Sequence, residues 1–169
     1  MASHKDWSDA HLKQARSDLE VYEFLKSEKG LPHCHELHYI QMATEKLSKA
    51  AMYQDNPSHA GPIKTHKTFL KFLKIAERAP SLKKRFQMSA SQWRAHLKSL
   101  RTVAFEIQKL APAVAGNGPN SEYPWEDHTG TVFFPAGHNF RIHIILSKPK
   151  GRSLLKFVKL ISREFPSLF

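Results

Sequence analysis

The sequence contains little cysteine, little glycine and no long apolar run. Its single cysteine, Cys34, excludes an intramolecular disulfide and a zinc site made of cysteine alone, and it is typical of a reducing compartment. Seven glycines and ten prolines in 169 residues are too few for a low-complexity or fibrous chain. No apolar run approaches the roughly 20 residues that cross a bilayer, and the N-terminal residues do not resemble a signal peptide. We therefore expect a cytoplasmic protein that does not enter membranes.

Positive charge is abundant and unevenly distributed. The formal net charge is +11, and residues 61–111 hold twelve Lys and Arg side chains against two Asp and Glu. A second basic segment, residues 148–169, holds six against one, whereas the rest of the chain is slightly acidic. A concentrated basic region attracts phosphate polyanions, acidic membrane surfaces or acidic proteins, and it also aids solubility. Composition alone leaves these four interpretations open.

Apolar residues recur at steps of three and four in five segments, which predicts five helices. The first begins with Ser3 or Asp6 as its cap, and the fourth begins with a capping box of Ser89 and Gln92. Pro80 ends the third, because proline has no N–H to donate, and a short turn over residues 82–86 follows it. The predicted helices cover about residues 7–26, 33–54, 65–79, 90–111 and 151–165.

Between residues 114 and 150 the helical pattern is lost. Residues 131–134 and 140–146 are predicted as two short strands joined by residues 135–139, although an extended segment without pairing fits as well. We expect four aromatic side chains to fix this long loop to the protein: Tyr123, Trp125, Phe133 and Phe134. The resulting expectation is a mainly α protein, a single domain over residues 1–169 with its core at about 7–165. We expect an up-and-down helical bundle of about five helices, with the extended segment or short β-hairpin of residues 114–150 inserted before the last helix.

Lys and Arg side chains form a stripe on the third and fourth predicted helices. On the third they fall within a narrow arc, opposite Phe69, Leu73 and Ala76, so they should face solvent. Like charges at this spacing destabilise a helix slightly. Their presence therefore suggests that the positive potential of this face attracts a negatively charged partner. The pattern predicts a phosphate-binding surface, with a merely solvated face or an acidic protein partner as alternatives. Its ten residues, here called the basic face, are Lys67, Lys71, Lys74, Arg78, Lys83, Lys84, Arg85, Arg94, Lys98 and Arg101.

Two other groups of residues suggest chemistry less strongly. Spacings of three and four in His33-Cys34-His35-x-x-His38 fit metal ligands, but a structural zinc site needs four ligands and the other histidines are scattered. We favour polar residues at a helix start around a buried Cys34, and we predict no metal or cofactor. Four loop residues, Glu122, Glu126, Asp127 and His128, are more typical of solvated or capping groups than of a catalytic pocket. The sequence contains no glycine-rich phosphate loop and no nucleophile elbow, so we predict no catalytic residue.

Within the second predicted helix, residues 38–51 read His-Tyr-Ile-Gln-Met-Ala-Thr-Glu-Lys-Leu-Ser-Lys-Ala-Ala. With Thr65-His66 before the next helix, it resembles the HEPN superfamily, whose second helix carries an Ala-x-Glu-Lys-x-x-Lys-Ala pattern. The resemblance implies a helical bundle, often dimeric, that acts as a ribonuclease or as the partner of a small nucleotidyltransferase. Ribonuclease members carry Arg-x4–6-His, whereas no arginine here precedes a histidine at that distance. The resemblance thus implies a non-catalytic member.

These observations lead to one functional expectation and two alternatives. The expected function is a HEPN-like helical module that binds RNA or a nucleotide through the basic face. The first alternative is an interaction protein, a homodimer or an antitoxin-like partner, which an open apolar patch around Ala43, Ala50 and Ala51 would favour. The second is an enzyme that uses His66 or His128.

Overall fold

In the computed structural model, which describes residues 2–59 and 61–169, helices account for most of the chain. Within those residues there are eight α-helices, a short 3₁₀ helix and a two-stranded antiparallel sheet. Their order is α1 (His4–Ser27), α2 (His33–Asp55), α3 (Phe69–Arg78), α4 (Pro80–Arg85), α5 (Ala90–Gln108), α6 (Pro112–Ala115), β1 (Trp125–Glu126), β2 (Val132–Phe133), the 3₁₀ helix (Pro135–Gly137), α7 (Arg141–Ser147) and α8 (Pro149–Leu168). The mainly α prediction is confirmed, but the described chain contains eight helices rather than about five.

Helices α1 and α2 form a long antiparallel pair. A capping box of Ser3 and Asp6 starts α1, and Gly30, with a positive φ of 87°, lies in the turn that follows it. Ser8 donates a hydrogen bond to the carbonyl of Ala50, so the two backbones approach closely. Ala43, Ala50 and Ala51 are fully buried within the chain. The open apolar patch that would favour a dimer at these residues is therefore not present in the described chain.

Aromatic side chains fill the space between α3, α5 and α8. Phe72 lies 6.0 Å from Phe157, ring centre to ring centre, and Trp93 lies 6.1 Å from Phe157. The indole N–H of Trp93 donates to the carbonyl of Ala76 at 3.1 Å, which ties α5 to the end of α3. This hydrogen bond satisfies the one polar atom of a fully buried indole. This hydrogen bond holds the end of α3 against α5, with the polar side of α3 facing away from the core.

Two parts of the predicted helix pattern are wrong. Helix α3 begins at Phe69 and not near residue 65, because the buried Thr68 hydroxyl donates to the carbonyl of Glu45 and holds the preceding segment against α2. Residues 80–85 form the short helix α4 where a turn was predicted. Pro80 occupies its first turn, where a missing N–H costs nothing.

The loop between residues 114 and 150 also differs from the prediction. The sheet pairs Trp125 with Phe133, and residues 141–147 form a helix in place of the second strand. Of the four aromatic residues expected to fix the loop, only Trp125 is buried, whereas Tyr123 and Phe134 are each 60% exposed. No helix in the described ranges is both long and apolar enough to cross a membrane.

Candidate functional site

Helix α3 turns its cations away from the core. Phe72, Leu73 and Ala76 are buried, while Lys71, Lys74 and Arg78 are exposed at spacings of three and four. Lys67 is exposed as well, but it precedes the helix. Three of the four cations predicted on this helix therefore lie on it, and Lys67 does not. The other cations of the basic face lie on the neighbouring helices α4 and α5. Nine of the ten are exposed, and Lys83 is partly buried.

The α5 cations form the wall of a shallow cavity beside α3. Its volume is about 290 Å³, and Arg94, Lys98 and Arg101 line it together with Glu77 and two leucines. Glu77 belongs to α3 and lies 3.7 Å from Arg94, from Oε1 to Nε. The cations of α3 and α5 thus flank Glu77, and on the other side Lys71, Lys74 and Arg78 line a second cavity of about 570 Å³.

Carboxylates neutralise three of the ten cations. Arg78 donates to both carboxylate oxygens of Asp55 at 2.9 Å, and Arg85 donates to Glu164 at 2.5 and 3.0 Å. The bonds from Arg85 and Arg163 lower the pKa of Glu164 to about 2. Arg94 with Glu77 is the third pair. Within the described ranges the other seven have no carboxylate oxygen within 4.0 Å: Lys67, Lys71, Lys74, Lys83, Lys84, Lys98 and Arg101.

The residues that carry the HEPN resemblance meet in a second polar cluster. The buried carboxylate of Glu45 accepts hydrogen bonds from Lys49 at 2.7 Å, from His66 at 2.8 Å and from Gln41 at 3.0 Å. Burial alone would raise the pKa of Glu45, but the bonds from Lys49 and His66 outweigh it and lower the pKa. Next to this cluster, Lys46 donates to Asp18 of α1 at 2.6 Å. These polar residues hold α1 and the segment before α3 against α2.

A third cluster joins the first turn of α2 to α7. His33 Nδ1 lies 3.1 Å, and His143 Nε2 lies 3.2 Å, from the same carboxylate oxygen of Glu36. The two imidazole rings stack with their centroids 3.4 Å apart. Burial and the neighbouring His33 lower the pKa of His143, although Glu36 acts in the opposite direction. Two imidazoles and a carboxylate are a donor set that binds transition metals.

Sequence reasoning found one member of this triad and missed the other two. It placed His33 in a candidate metal cluster with Cys34, His35 and His38, and the structure does not bring those four together. Cys34 is buried, as expected, and burial raises the pKa of its thiol. The available signal was the three-residue spacing of His33 and Glu36 at a helix start. No signal in the sequence indicated that His143 lies next to these two residues, because its segment was predicted as a strand.

Three of the four loop residues, Glu126, Asp127 and His128, line one cleft. The carboxylate of Asp127 accepts hydrogen bonds from the backbone N–H groups of Thr129 and Thr131, so it organises its own turn. These bonds, with one from the Thr129 hydroxyl, lower the pKa of Asp127. Glu122 lies 3.5 Å from His38, while His128 is exposed at the side of a shallow cleft. The capping role predicted for this group is the one that Asp127 performs.

The chain matches no family model, no curated protein and no solved structure in comparisons with known proteins.

Proposed function

We propose that the protein is a HEPN-like helical module that binds RNA through the basic face without catalysing a reaction. The observation that carries the proposal is the set of seven cations on and beside α3, α4 and α5 that have no carboxylate partner in the described chain. The phosphates of RNA carry condensed cations. A lysine or arginine that is not already paired with a carboxylate can neutralise a phosphate and release such a cation, which favours binding.

The spread of the cations favours an extended polyanion over a single nucleotide. They are distributed over three helices and reach two separate cavities, one of about 290 Å³ between α3 and α5 and one of about 570 Å³ that Lys71, Lys74 and Arg78 line. A mononucleotide is usually bound in one pocket or by a glycine-rich loop, and the sequence contains no such loop. Exposed lysines spread over three helices instead suit successive phosphates of one strand.

The experiment compares two charge-reversed variants of equal net charge. One replaces Lys71, Lys74 and Lys98 with Glu. The matched control replaces three exposed lysines of the C-terminal segment, Lys148, Lys150 and Lys156, with Glu. Binding to a labelled single-stranded RNA is measured by fluorescence anisotropy between about 50 and about 200 mM salt. Free nucleotide serves as a competitor, and far-UV circular dichroism checks the fold.

The expected result is a loss of RNA binding in the first variant only. Seven phosphate contacts on a single strand give a logarithmic salt slope of at most about −5, which falls to about −3 when three contacts are removed. If both variants lose affinity equally, net charge alone attracts RNA. If neither loses affinity, the basic face does not bind it. Displacement of RNA by free nucleotide at similar phosphate concentration would favour a nucleotide as the ligand.

A second candidate function is protein interaction, as a homodimer or as the partner of a small nucleotidyltransferase. The observation that favours it is a group of exposed apolar side chains near the sheet, with Tyr123 at 60%, Val132 at 68% and Phe134 at 60% exposure. Isolated exposed apolar residues are common, but adjacent ones often mark an interface. Light scattering that reports a dimer, in samples where no RNA binding is measured, would favour this second function.

A further inference from the structure

The carboxylate of Glu36 differs from that of Glu45 in the partners that surround it. The Glu36 side chain is 11% exposed, and the only ion-pair partners within 4.0 Å in the described chain are two imidazoles. Lysine or arginine neutralises most buried carboxylates. Imidazole is also a metal ligand, so a dication held between the three groups would neutralise the carboxylate in the place of lysine or arginine.

We propose that His33, Glu36 and His143 bind a divalent transition-metal ion. Zinc and related ions lie about 2.0–2.2 Å from nitrogen and oxygen ligands, which places neighbouring ligand atoms about 3.3–3.6 Å apart in a tetrahedral site and about 2.8–3.1 Å apart in an octahedral one. The two separations from Glu36 Oε1, 3.1 and 3.2 Å, lie at the boundary between these ranges. One candidate donor atom from each residue lies within 4.8 Å of the other two. The site therefore needs only small side-chain movements to close around an ion.

Binding of an ion requires the His33 ring to rotate. The two rings are inclined by only 20°, so their nitrogen lone pairs run side by side and do not converge. His33 is 53% exposed and His143 39%, whereas Glu36 is nearly buried. Rotation of the half-exposed His33 ring gives up its stacking contact with His143, while Glu36 and His143 keep their positions between α2 and α7.

Three protein ligands leave at least one coordination position for a ligand from solution, as in catalytic zinc sites. The triad lines a cavity of about 600 Å³ that Lys26, Lys29 and Arg152 also line. These cations disfavour a bare dication and favour one that carries an anion. We therefore assign an anionic oxygen ligand, for which inorganic phosphate is the probe, to the open position. The assignment does not depend on RNA binding by the basic face, since the two residue sets do not overlap.

Cobalt is a suitable test ion, because its visible absorption bands respond to each ligand. We expect one Co²⁺ per chain, displaced by Zn²⁺, and a change in the bands when inorganic phosphate is added. His33→Ala and His143→Ala should each weaken Zn²⁺ binding by more than about tenfold in calorimetric titration. His128→Ala, which removes an exposed histidine outside the triad, should leave both the affinity and the spectrum unchanged.

His33→Ala is the decisive variant, since a half-exposed first residue of a helix can be truncated without unfolding the protein. Circular dichroism establishes the fold of each variant. Equal Zn²⁺ affinity in His33→Ala and the unaltered chain would overturn the site, as would an equal loss in His128→Ala. Bands that phosphate does not alter would contradict the assigned ligand class.

Discussion

Replacing Glu45 with Gln should destabilise the protein more than any surface charge change. The substitution keeps the size of the side chain and an acceptor oxygen, but it removes the negative charge from a position that is 8% exposed. Lys49, whose side chain is 10% exposed, then retains a buried ammonium group without a carboxylate. His66 is 46% exposed and can find water instead, so most of the penalty falls on Lys49.

The magnitude follows from how completely the pair is buried. Removal of one partner of a buried ion pair costs about 3–5 kcal/mol. The Lys49 chain is long enough to extend its ammonium group towards water, which places the expected loss near the lower limit, about 3 kcal/mol. For a chain of this length that loss lowers the melting temperature by roughly 6–12 °C. Glu45→Gln combined with Lys49→Met removes both charges, and little stability should then be lost.

Urea unfolding, followed by tryptophan fluorescence, measures these differences, and an unchanged m value shows that the unfolding transition is comparable. Asp55→Asn is the matched control, because Asp55 pairs with Arg78 on the exposed surface and should cost less than about 1 kcal/mol. The reasoning is refuted if Glu45→Gln is as mild as Asp55→Asn. It is also refuted if the double variant loses the sum of the two single losses, which would mean that the charges do not interact.

The same pair predicts a dependence on pH. The pKa of Glu45 is lower in the folded protein than its ordinary value of 4.5, so the unfolded chain binds the proton more tightly. The stabilisation by Glu45 is therefore complete above about pH 4.5 and disappears as the pH falls through the folded pKa. The difference in unfolding free energy between the unaltered chain and Glu45→Gln should shrink in that acidic window.

Two further substitutions test a close backbone contact at Gly151 and the buried imidazole of His96. Gly151→Ala should cost about 1–3 kcal/mol in thermal unfolding, because a Cβ there would lie 2.8 Å from the backbone carbonyl carbon of Leu146 and closer to two other backbone atoms; Lys150→Ala is the control, and equal stability of the two variants would contradict the clash. His96→Phe should reduce the loss of stability below about pH 6.5, since burial lowers the pKa of His96 and its Nε2 has no partner among the described residues. An unchanged pH profile of the melting temperature would show that His96 does not contribute.

The long helices could be predicted because their local signals agree. Ser89 and Gln92 form the capping box that their spacing indicates, Ser3 caps α1, and α3 ends just before Pro80 as predicted. The segment 140–146 was misassigned for a physical reason. Alternation of Phe140, Ile142, Ile144 and Leu146 fits a strand, but Ile142 and Leu146 also have the four-residue spacing of a helix face, and Ile144 is 60% exposed.

Prediction of the candidate sites was limited by contacts between distant segments. The cations of α3, α4 and α5 could be identified from composition, but the partners of Arg78 and Arg85 lie 23 and 79 residues away and could not. Lys67 was placed on a helix because periodicity continues through it, whereas Thr68 binds the preceding segment to α2. The triad depends on the position of α7, which the backbone contact at Gly151 sets.

The three carboxylate clusters differ in what a metal ion would have to displace in order to bind. Glu164 is partly exposed to water and pairs with two exposed arginines, so its bonds add little beyond surface attraction. Glu45 is buried, but Lys49 neutralises it within the same helix, and a ligand would have to displace a cation that is already in place. Glu36 combines burial with partners that are themselves ligands, so an ion would replace only hydrogen bonds to two imidazoles. Among these three clusters, the one at α2 and α7 is therefore the place where a metal ion can bind without breaking an ion pair that stabilises the fold.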